Sequence, residues 1–188
     1  MSVKAVGLFS GGLDSQLAAR VLQLQGVEVE LLHCITDPER FEGARVEEAA
    51  GRLGAPLRVL DVAEEFFEVV RSPRFGYGSG MNPCLDCRVL MLRKAKALME
   101  EAGARFVFTG EVLGQRPMSQ HRGALRLVER ESGLDGLLLR PLSAKLLPPT
   151  IPELKGWVDR EGLYDFSGRS RKPQMALAKQ LGISEYPS

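Results

Sequence analysis

The stretch VKAVGLFSGGLDSQLAARVLQLQG, residues 3–26, changes from an apolar run to a helical pattern across SGGLDS at positions 10–15. Residues 3–9 are mostly apolar, which is typical of a strand buried in a parallel sheet. Residues 13–24 then place leucine and valine at helical spacing and end close to a glycine. A strand that passes through a glycine-rich loop into a helix predicts a βα unit, with its loop at the carboxyl edge of the sheet.

The same alternation of strand and helix continues along the chain. Further strands are predicted at residues 27–34, 57–62, 105–109 and 137–139. Helices are predicted at residues 42–53, 63–70, 84–102, 118–131, 151–161 and 173–181. Because repeated βα units form parallel sheets covered on both faces, the pattern predicts a three-layer, Rossmann-like α/β fold with about five strands.

The loop between the first strand and the first helix has the composition of a phosphate site. Gly11 and Gly12 permit backbone angles and a close approach that a Cβ would prevent. Successive amide N–H groups form an anion-binding concavity at the positive end of the helix, and the Ser10 and Ser15 hydroxyls can donate to phosphate oxygens. Asp14 suits such a site if Mg²⁺ bridges carboxylate and phosphate. The alternative is a Gly-Gly turn in which Asp14 or Ser15 caps the helix.

The string from Ser10 to Ser15 resembles the motif of the PP-loop ATP pyrophosphatases. The resemblance implies an adenine nucleotide alpha hydrolase-like fold that binds ATP with its pyrophosphate end in the loop. It implies cleavage between the α and β phosphates, with AMP passed to a carbonyl-type oxygen and then displaced by a nucleophile. Residues 1–146 are expected to form this nucleotide-binding domain, and residues 147–188 a C-terminal helical extension with a basic turn.

Three further strings indicate a branch of that superfamily. Residues 109–120, TGEVLGQRPMSQ, and residues 139–145, LRPLSAK, resemble the catalytic domain of tRNA 4-thiouridine synthetases. Residues 82–87, NPCLDC, resemble the Asn-Pro-Cys-x-x-Cys of tRNA 2-thiouridylases. The likeness covers about residues 3–146 and implies sulfur transfer to a tRNA uridine, with a sulfur donor protein or sulfide as a partner.

Polar residues after the fourth and fifth strands are expected to line the same site. Gly110 lies where the first loop also opens, Glu111 is expected to hold metal or ribose hydroxyls, and Gln115 to bond the adenylate or a base. Arg140 and Lys145 are expected to neutralise charge on the pyrophosphate. The alternative is that Thr109 and Glu111 cap the next helix and that Arg140 pairs with a surface carboxylate.

The chain has three cysteines, Cys34, Cys84 and Cys87. Cys84 begins a predicted helix, whose dipole favours the thiolate, so we expect it to carry persulfide sulfur and Cys87 to resolve the intermediate as a disulfide. A half zinc site at Cys84 and Cys87 stays open, as does an iron–sulfur cluster held by all three cysteines. For Cys34 a small buried hydrophobe is the favoured interpretation.

The formal net charge of +1 does not indicate a nucleic acid or a membrane as a partner, so binding to either would need a local basic patch. The densest basic patch is GRSRKP at residues 168–173. Its Arg169, Arg171 and Lys172 are expected to contact RNA phosphates, with a solvated basic turn as the alternative.

No apolar stretch approaches the roughly 20 residues that span a bilayer, and no basic leader is evident, so the expected location is the cytoplasm. The three cysteines are too few for a disulfide framework.

The sequence leaves open whether the chain forms a homodimer. The sequence starts close to the first strand, where the 4-thiouridine synthetases carry an RNA-binding region, and no cysteine follows Cys87, whereas the thiouridylases use a second, downstream cysteine. We therefore expect the tRNA substrate and the sulfur relay to differ from the relatives' pattern. An adenylating enzyme that uses ammonia, or a nucleotide-binding regulator without turnover, remains as an alternative.

Overall fold

The computed structural model describes residues 2–77 and 83–187 and has a five-stranded, wholly parallel sheet in the order β3-β2-β1-β4-β5. The strands are β1 (Lys4–Leu8), β2 (Glu28–Ile35), β3 (Leu57–Asp61), β4 (Phe106–Phe108) and β5 (Leu138–Leu139). The α-helices are α1 (Leu13–Leu24), α2 (Gly43–Leu53), α3 (Ala63–Arg71), α4 (Cys84–Glu101), α5 (Arg122–Glu131), α6 (Ile151–Leu154) and α7 (Lys172–Gln180). Short 3-10 turns lie at Pro38–Arg40, Ala144–Leu146 and Arg160–Gly162.

The strand order reverses next to β1. The chain moves outward from β1 through β2 to β3, and β4 then pairs with the other side of β1, where Ala5 lies opposite Phe106. In open α/β sheets, ligands bind beyond the carboxyl ends of the strands at such a reversal. The predicted α/β fold is confirmed, and its topology places the loops after β1 and β4 side by side.

Alternating residues of the central strands supply two cores, one on each face. Ala5 and Phe106 belong to the core beneath α1, α2 and α7, whereas Val6 and Val107 belong to the core beneath α4 and α5. Burial on both faces explains why β1 and β4 read as near-continuous apolar runs. The sheet is therefore a rigid platform for the loops at its carboxyl edge.

Helix α5 begins at Arg122, four residues after its predicted start at Met118. The intervening residues form a turn organised by Gln120, whose backbone oxygen accepts the Gly114 N–H at 2.8 Å. The side-chain Oε1 of Gln120 also accepts the Arg116 N–H, at 3.2 Å. These tertiary bonds compete with a helix, so the turn replaces the predicted first turn of the helix.

The helix predicted over residues 151–161 is also shorter, since α6 ends at Leu154. Arg160 folds the chain back on α6, because its guanidinium donates to Glu153 at 2.6 Å and to the Leu147 oxygen at 2.9 Å. The apolar residues of this segment that follow α6 therefore pack on the core without forming one continuous helix with it.

The C-terminal segment packs on the same core as α1, with Val158, Leu163, Leu177 and Ala178 among the buried residues of that cluster. Within residues 2–77 and 83–187, no helix is long and apolar enough to cross a bilayer. The predicted domain division after residue 146 stays a prediction.

Candidate active site

A cavity of about 290 Å³ opens at the carboxyl ends of β1, β2 and β4, at the reversal of strand order. Side chains from all three strand ends, from α1 and from α4 surround it. Its lining residues are Leu8, Phe9, Ser10, Asp14, Ser15, Leu32, His33, Cys34, Arg88, Met91, Thr109, Gly110, Glu111, Gln115, Arg116 and Gln120.

The loop after β1 presents the start of α1 to this cavity. Gly11 has a φ of +80°, a left-handed conformation that favours glycine. Gly12 is the N-cap of α1 and provides no side-chain cap, while the Ser15 Oγ donates to the Gly12 oxygen at 3.0 Å. The Ser10 and Ser15 hydroxyls lie 3.2 Å apart. The alternative in which Asp14 or Ser15 caps the helix is therefore wrong, and the uncapped first turn can bind an anion.

Gly110 holds the loop after β4 against the start of α1. A Cβ at this position would lie 2.6 Å from the Asp14 carbonyl carbon and 2.7 Å from the Ser15 nitrogen. Only glycine permits this backbone approach, which brings two loops that are far apart in sequence into one wall. Gly110 lines the cavity as expected, and its role in the structure is close packing.

Asp14 lies in a half-buried position with mixed surroundings. Burial is the largest influence and raises its pKa above the ordinary value of 3.8, although Gln115, Arg171, Arg116 and Gln174 act in the opposite direction. Its Oδ1 is buried and has no hydrogen-bond partner among the described residues. A carboxylate oxygen in this state is the kind of donor that Mg²⁺ takes, so Asp14 fits its expected role as a magnesium ligand.

Glu111 is fully buried and lies within a network of cations. Its Oε1 accepts the Thr109 hydroxyl at 2.8 Å and lies 3.4 Å from the Arg140 Nε, while its Oε2 lies 3.7 Å from the Arg88 Nε. Burial alone would raise the pKa of Glu111, but Arg88 and Arg140 outweigh it and hold the pKa below its usual range. The alternative in which Glu111 caps the next helix is wrong, because His121 is the N-cap of α5.

Arg140 lies behind Glu111 rather than in the cavity wall. It is 4% exposed, and its guanidinium also contacts Glu129 at 3.2 Å and the Leu125 oxygen at 3.0 Å. Lys145 is exposed and is likewise absent from the cavity lining. The structure therefore does not bring these two predicted pyrophosphate ligands to the cavity, and Arg140 pairs with the buried Glu111 and the half-buried Glu129 rather than with a surface carboxylate.

Of the cysteines, Cys34 is the one that lines the cavity, at the end of β2. Burial raises its pKa to about 11, and burial also raises the pKa of Cys87. Cys84 and Cys87 lie in the first turn of α4 and are absent from the lining, while Asn82 of the predicted motif lies outside the described residues.

The cysteines do not form a metal centre in the part of the chain that the structure describes. No group of three or more His, Cys, Asp or Glu side chains there is arranged to hold a metal ion. The zinc and iron–sulfur hypotheses for Cys34, Cys84 and Cys87 therefore gain no support from the described residues and stay hypotheses, and we derive no step through either group.

Sequence reasoning missed four polar residues of the cavity wall. Arg88 follows Cys84 by one helical turn, a spacing that could have identified it. Arg116 and Gln120 belong to the quoted string at residues 109–120 but were given no role. His33 follows the buried part of β2, and its Nδ1 lies 2.7 Å from the Phe9 oxygen.

The basic turn divides into two kinds of residue. Arg169 and Lys172 are exposed, as an RNA-contacting surface requires. Arg171 is half-buried and is one of the two arginines whose charge acts to lower the pKa of Asp14. The three residues that the sequence grouped together therefore have different surroundings.

The chain is similar to two curated proteins whose names refer to thiolation of tRNA. The chain is 36% identical over 121 residues to the tRNA-specific 2-thiouridylase MnmA of Sulfurimonas denitrificans, which covers 60% of this chain and 36% of that protein. It is 30% identical over 175 residues to the tRNA sulfurtransferase of Desulfurococcus amylolyticus, which covers 89% of this chain and 34% of that protein. The chain thus spans about a third of the length of these two curated relatives.

A solved complex of a 4-thiouridine synthetase with RNA and bound ATP has the same fold, with a TM-score of 0.59 and 24% identity over 96% of this chain and 52% of that one. These likenesses confirm the resemblance to PP-loop proteins of the thiouridine-synthesis type. The sequence profile described as "Thiamine biosynthesis protein (ThiI)" matches residues 1–146. Because this match covers most of the chain, the protein belongs to the ThiI family.

Proposed function

We propose that this chain binds ATP in the cavity and adenylates a carbonyl oxygen of a tRNA uridine, which sulfur then replaces. The observation that carries the proposal is the uncapped start of α1, with the unpartnered Asp14 carboxylate beside it, at the reversal of strand order. Amides at a helix start bind phosphate, and the carboxylate supplies a magnesium ligand. The names of the relatives, tRNA sulfurtransferase and tRNA-specific 2-thiouridylase, support a tRNA uridine as the substrate class.

The cavity offers distinct places for the two ends of ATP. Leu8, Leu32 and Met91 provide an apolar side suited to adenine, while the α1 start suits the phosphates. The substrate oxygen attacks the α phosphorus, the bond to the β phosphate breaks, and pyrophosphate leaves. Mg²⁺, when bound, supplies positive charge that stabilises the leaving pyrophosphate.

Sulfur then displaces AMP from the activated carbon. In the route through Cys84, the terminal sulfur of a Cys84 persulfide, supplied by a donor protein, attacks the carbon and AMP leaves. The Cys87 thiolate next attacks the Cys84 sulfur, which releases the thiolated base and leaves a Cys84–Cys87 disulfide for a dithiol reductant to restore. In the alternative route, free sulfide attacks directly and needs neither thiol.

The exposed Arg169 and Lys172 form the proposed contact with tRNA phosphates. Lysine and arginine side chains that neutralise phosphates make binding depend on salt, by about one unit of the logarithmic slope per contact. We also propose that the reaction occurs in the cytoplasm, because a reducing compartment would return the Cys84–Cys87 disulfide to the thiols that the route through Cys84 needs.

The test is incubation of the full chain with unmodified tRNA, sulfide and Mg-ATP labelled at the α phosphate. We expect labelled AMP, equimolar pyrophosphate and a thiolated uridine by mass spectrometry. ATP with a methylene group between the α and β phosphorus atoms is the matched control and should bind without releasing AMP. Release of ADP, or of no nucleotide product under any sulfur supply, would contradict the proposal.

Omission of sulfide distinguishes the two sulfur routes. With a persulfide donor protein as the sulfur source, Cys84→Ala is expected to abolish thiolation and AMP release, while pyrophosphate release and labelling of the tRNA with the adenylyl group continue. If the variant thiolates as fast as the parent chain from that donor, the route through Cys84 is wrong and direct attack remains.

A further inference from the structure

Residues 167–174 of the C-terminal segment cross the edge of the candidate active site. Leu113 and Ser167 form an isolated parallel bridge, and the Gly168 N–H donates to the Leu113 oxygen at 2.8 Å. On the other side of this segment, α7 packs against α1, the helix that carries Asp14. The segment is thus held at both ends, by the loop after β4 and by the helix of the PP-loop.

This docking buries a polar side chain that has no partner. Gln174 is 0% exposed, and neither its Oε1 nor its Nε2 has a hydrogen-bond partner within 3.5 Å among the described residues, although the amide is close enough to Asp14 to favour the ionised carboxylate. It lies beside Asp14, whose Oδ1 is in the same state. Buried amides in native proteins are nearly always bonded, so two unpartnered groups at one place indicate a site completed by a ligand.

The same segment brings a cation to the carboxylate. Arg171 is half-buried, and together with the exposed Arg116 it lies close to Asp14. Two guanidinium groups around one carboxylate leave an excess of positive charge, which suits a phosphate chain. Arg169, two residues earlier, is exposed and is not among the groups that act on Asp14.

We propose that Arg171 is a phosphate-binding residue of the nucleotide site rather than an RNA contact, and that Gln174 is a positioning residue that orients Asp14. This inference rests on the proposed function, because it requires that the cavity binds a nucleoside triphosphate. It makes the C-terminal segment part of the nucleotide site, which the motif strings at residues 10–15 and 109–120 do not include.

The test measures the dissociation constants of Mg-ATP and of magnesium pyrophosphate by calorimetry, and that of tRNA by filter binding. We expect Arg171→Ala to weaken both phosphate ligands by about tenfold or more and to leave tRNA affinity within about twofold, with Arg171→Lys in between. Lys179→Ala, which removes one exposed charge from the same helix, should bind Mg-ATP like the parent chain. Unchanged Mg-ATP affinity in Arg171→Ala, or a loss confined to tRNA, would overturn the assignment.

Gln174→Leu provides a second measurement if Arg171→Ala does not fold. A purely structural role predicts no change in Mg²⁺ affinity and a higher Tm, because the unpartnered amide is gone. Positioning of Asp14 predicts weaker Mg²⁺ binding in the presence of ATP, at an equal or higher Tm. Equal Mg²⁺ affinity would overturn the role of Gln174.

The outcomes also separate this inference from the proposed function. One outcome is that the parent chain binds Mg-ATP and Arg171→Ala binds it weakly, while no AMP forms with any tRNA. That result would contradict the proposed reaction and support the assignment of Arg171 to the nucleotide site. If the parent chain binds no Mg-ATP at all, both are wrong.

Discussion

Asp14 and Glu111 line the same cavity, yet their surroundings shift the two carboxyl groups in opposite directions. Burial raises the pKa of Asp14, and one of its oxygens has no hydrogen-bond partner among the described residues. Arg88 and Arg140 outweigh the effect of burial on Glu111 and lower its pKa. Glu111 Oε2 also lacks a hydrogen bond, but it lies 3.7 Å from the Arg88 Nε, so an ion pair compensates its charge. A carboxylate with no such ion pair among the described residues is available to a ligand, whereas a carboxylate between two guanidinium groups supports the structure. From this comparison we infer that Asp14, at the start of α1, takes part in the proposed reaction and that Glu111, after β4, stabilises the fold.

Replacement of Asp14 gives the largest effect expected from this comparison. Asp14→Asn removes the proposed magnesium ligand, and we expect AMP formation to fall by about a thousandfold, as for the loss of a charge-stabilising group in other active sites. The Tm should stay equal or rise, because the substitution removes a charge that burial disfavours. The measurement is AMP release from labelled ATP together with thermal unfolding.

Asp165→Asn is the matched control, since it makes the same change at an exposed position of the C-terminal segment. It should leave both quantities at parent values. A large loss of stability in Asp14→Asn would instead show that the α1 carboxylate supports the fold, and the comparison would fail.

Replacement of Glu111 gives the next largest effect, and it falls on stability. Glu111→Ala leaves Arg140 buried with one carboxylate fewer, which costs about 3 kcal/mol in other buried ion pairs. We expect the urea midpoint of unfolding to fall by a corresponding amount. Stability within about 0.5 kcal/mol of the parent chain would indicate that Glu111 is not structural.

The pH dependence of stability should report the lowered pKa of Glu111. A folded-state pKa below the ordinary value of 4.5 contributes stability that is present above that value and is lost as pH falls through the folded value. We therefore expect the parent chain to exceed Glu111→Gln in unfolding free energy by a constant amount near neutral pH. That margin should begin to shrink below about pH 4.5. A margin that grew on acidification would contradict the sign.

The sequence predicted the parts of this site that depend on local pattern. The strand, the glycine loop and the helix at residues 3–26 are contiguous, so spacing alone predicted the βα unit and the cavity edge. The pairing of Arg140 with Glu111 joins residues 29 apart and depends on how the strands align, which no local pattern encodes. The place of Arg171 depends on the docking of the tail at Leu113, a tertiary contact. Local pattern thus predicted the part of the cavity wall formed by the loop after β1, and tertiary packing determined which cations lie next to it.

The smallest expected effect is on the reactivity of Cys34, which is measured in the parent chain without any substitution. Burial moves this thiol toward its neutral form, as it moves Asp14, and raises its pKa to about 11. Since the thiolate is the reactive form, we expect Cys34 to react slowly with iodoacetamide at pH 7 and faster with each step in pH up to about 11. Mass spectrometry of tryptic peptides gives the rate for each cysteine, and Mg-ATP should slow the reaction at Cys34, which lines the cavity. A fast reaction at neutral pH would place Cys34 in a cationic environment, and the cavity would then favour anions on its β2 side as well as at α1.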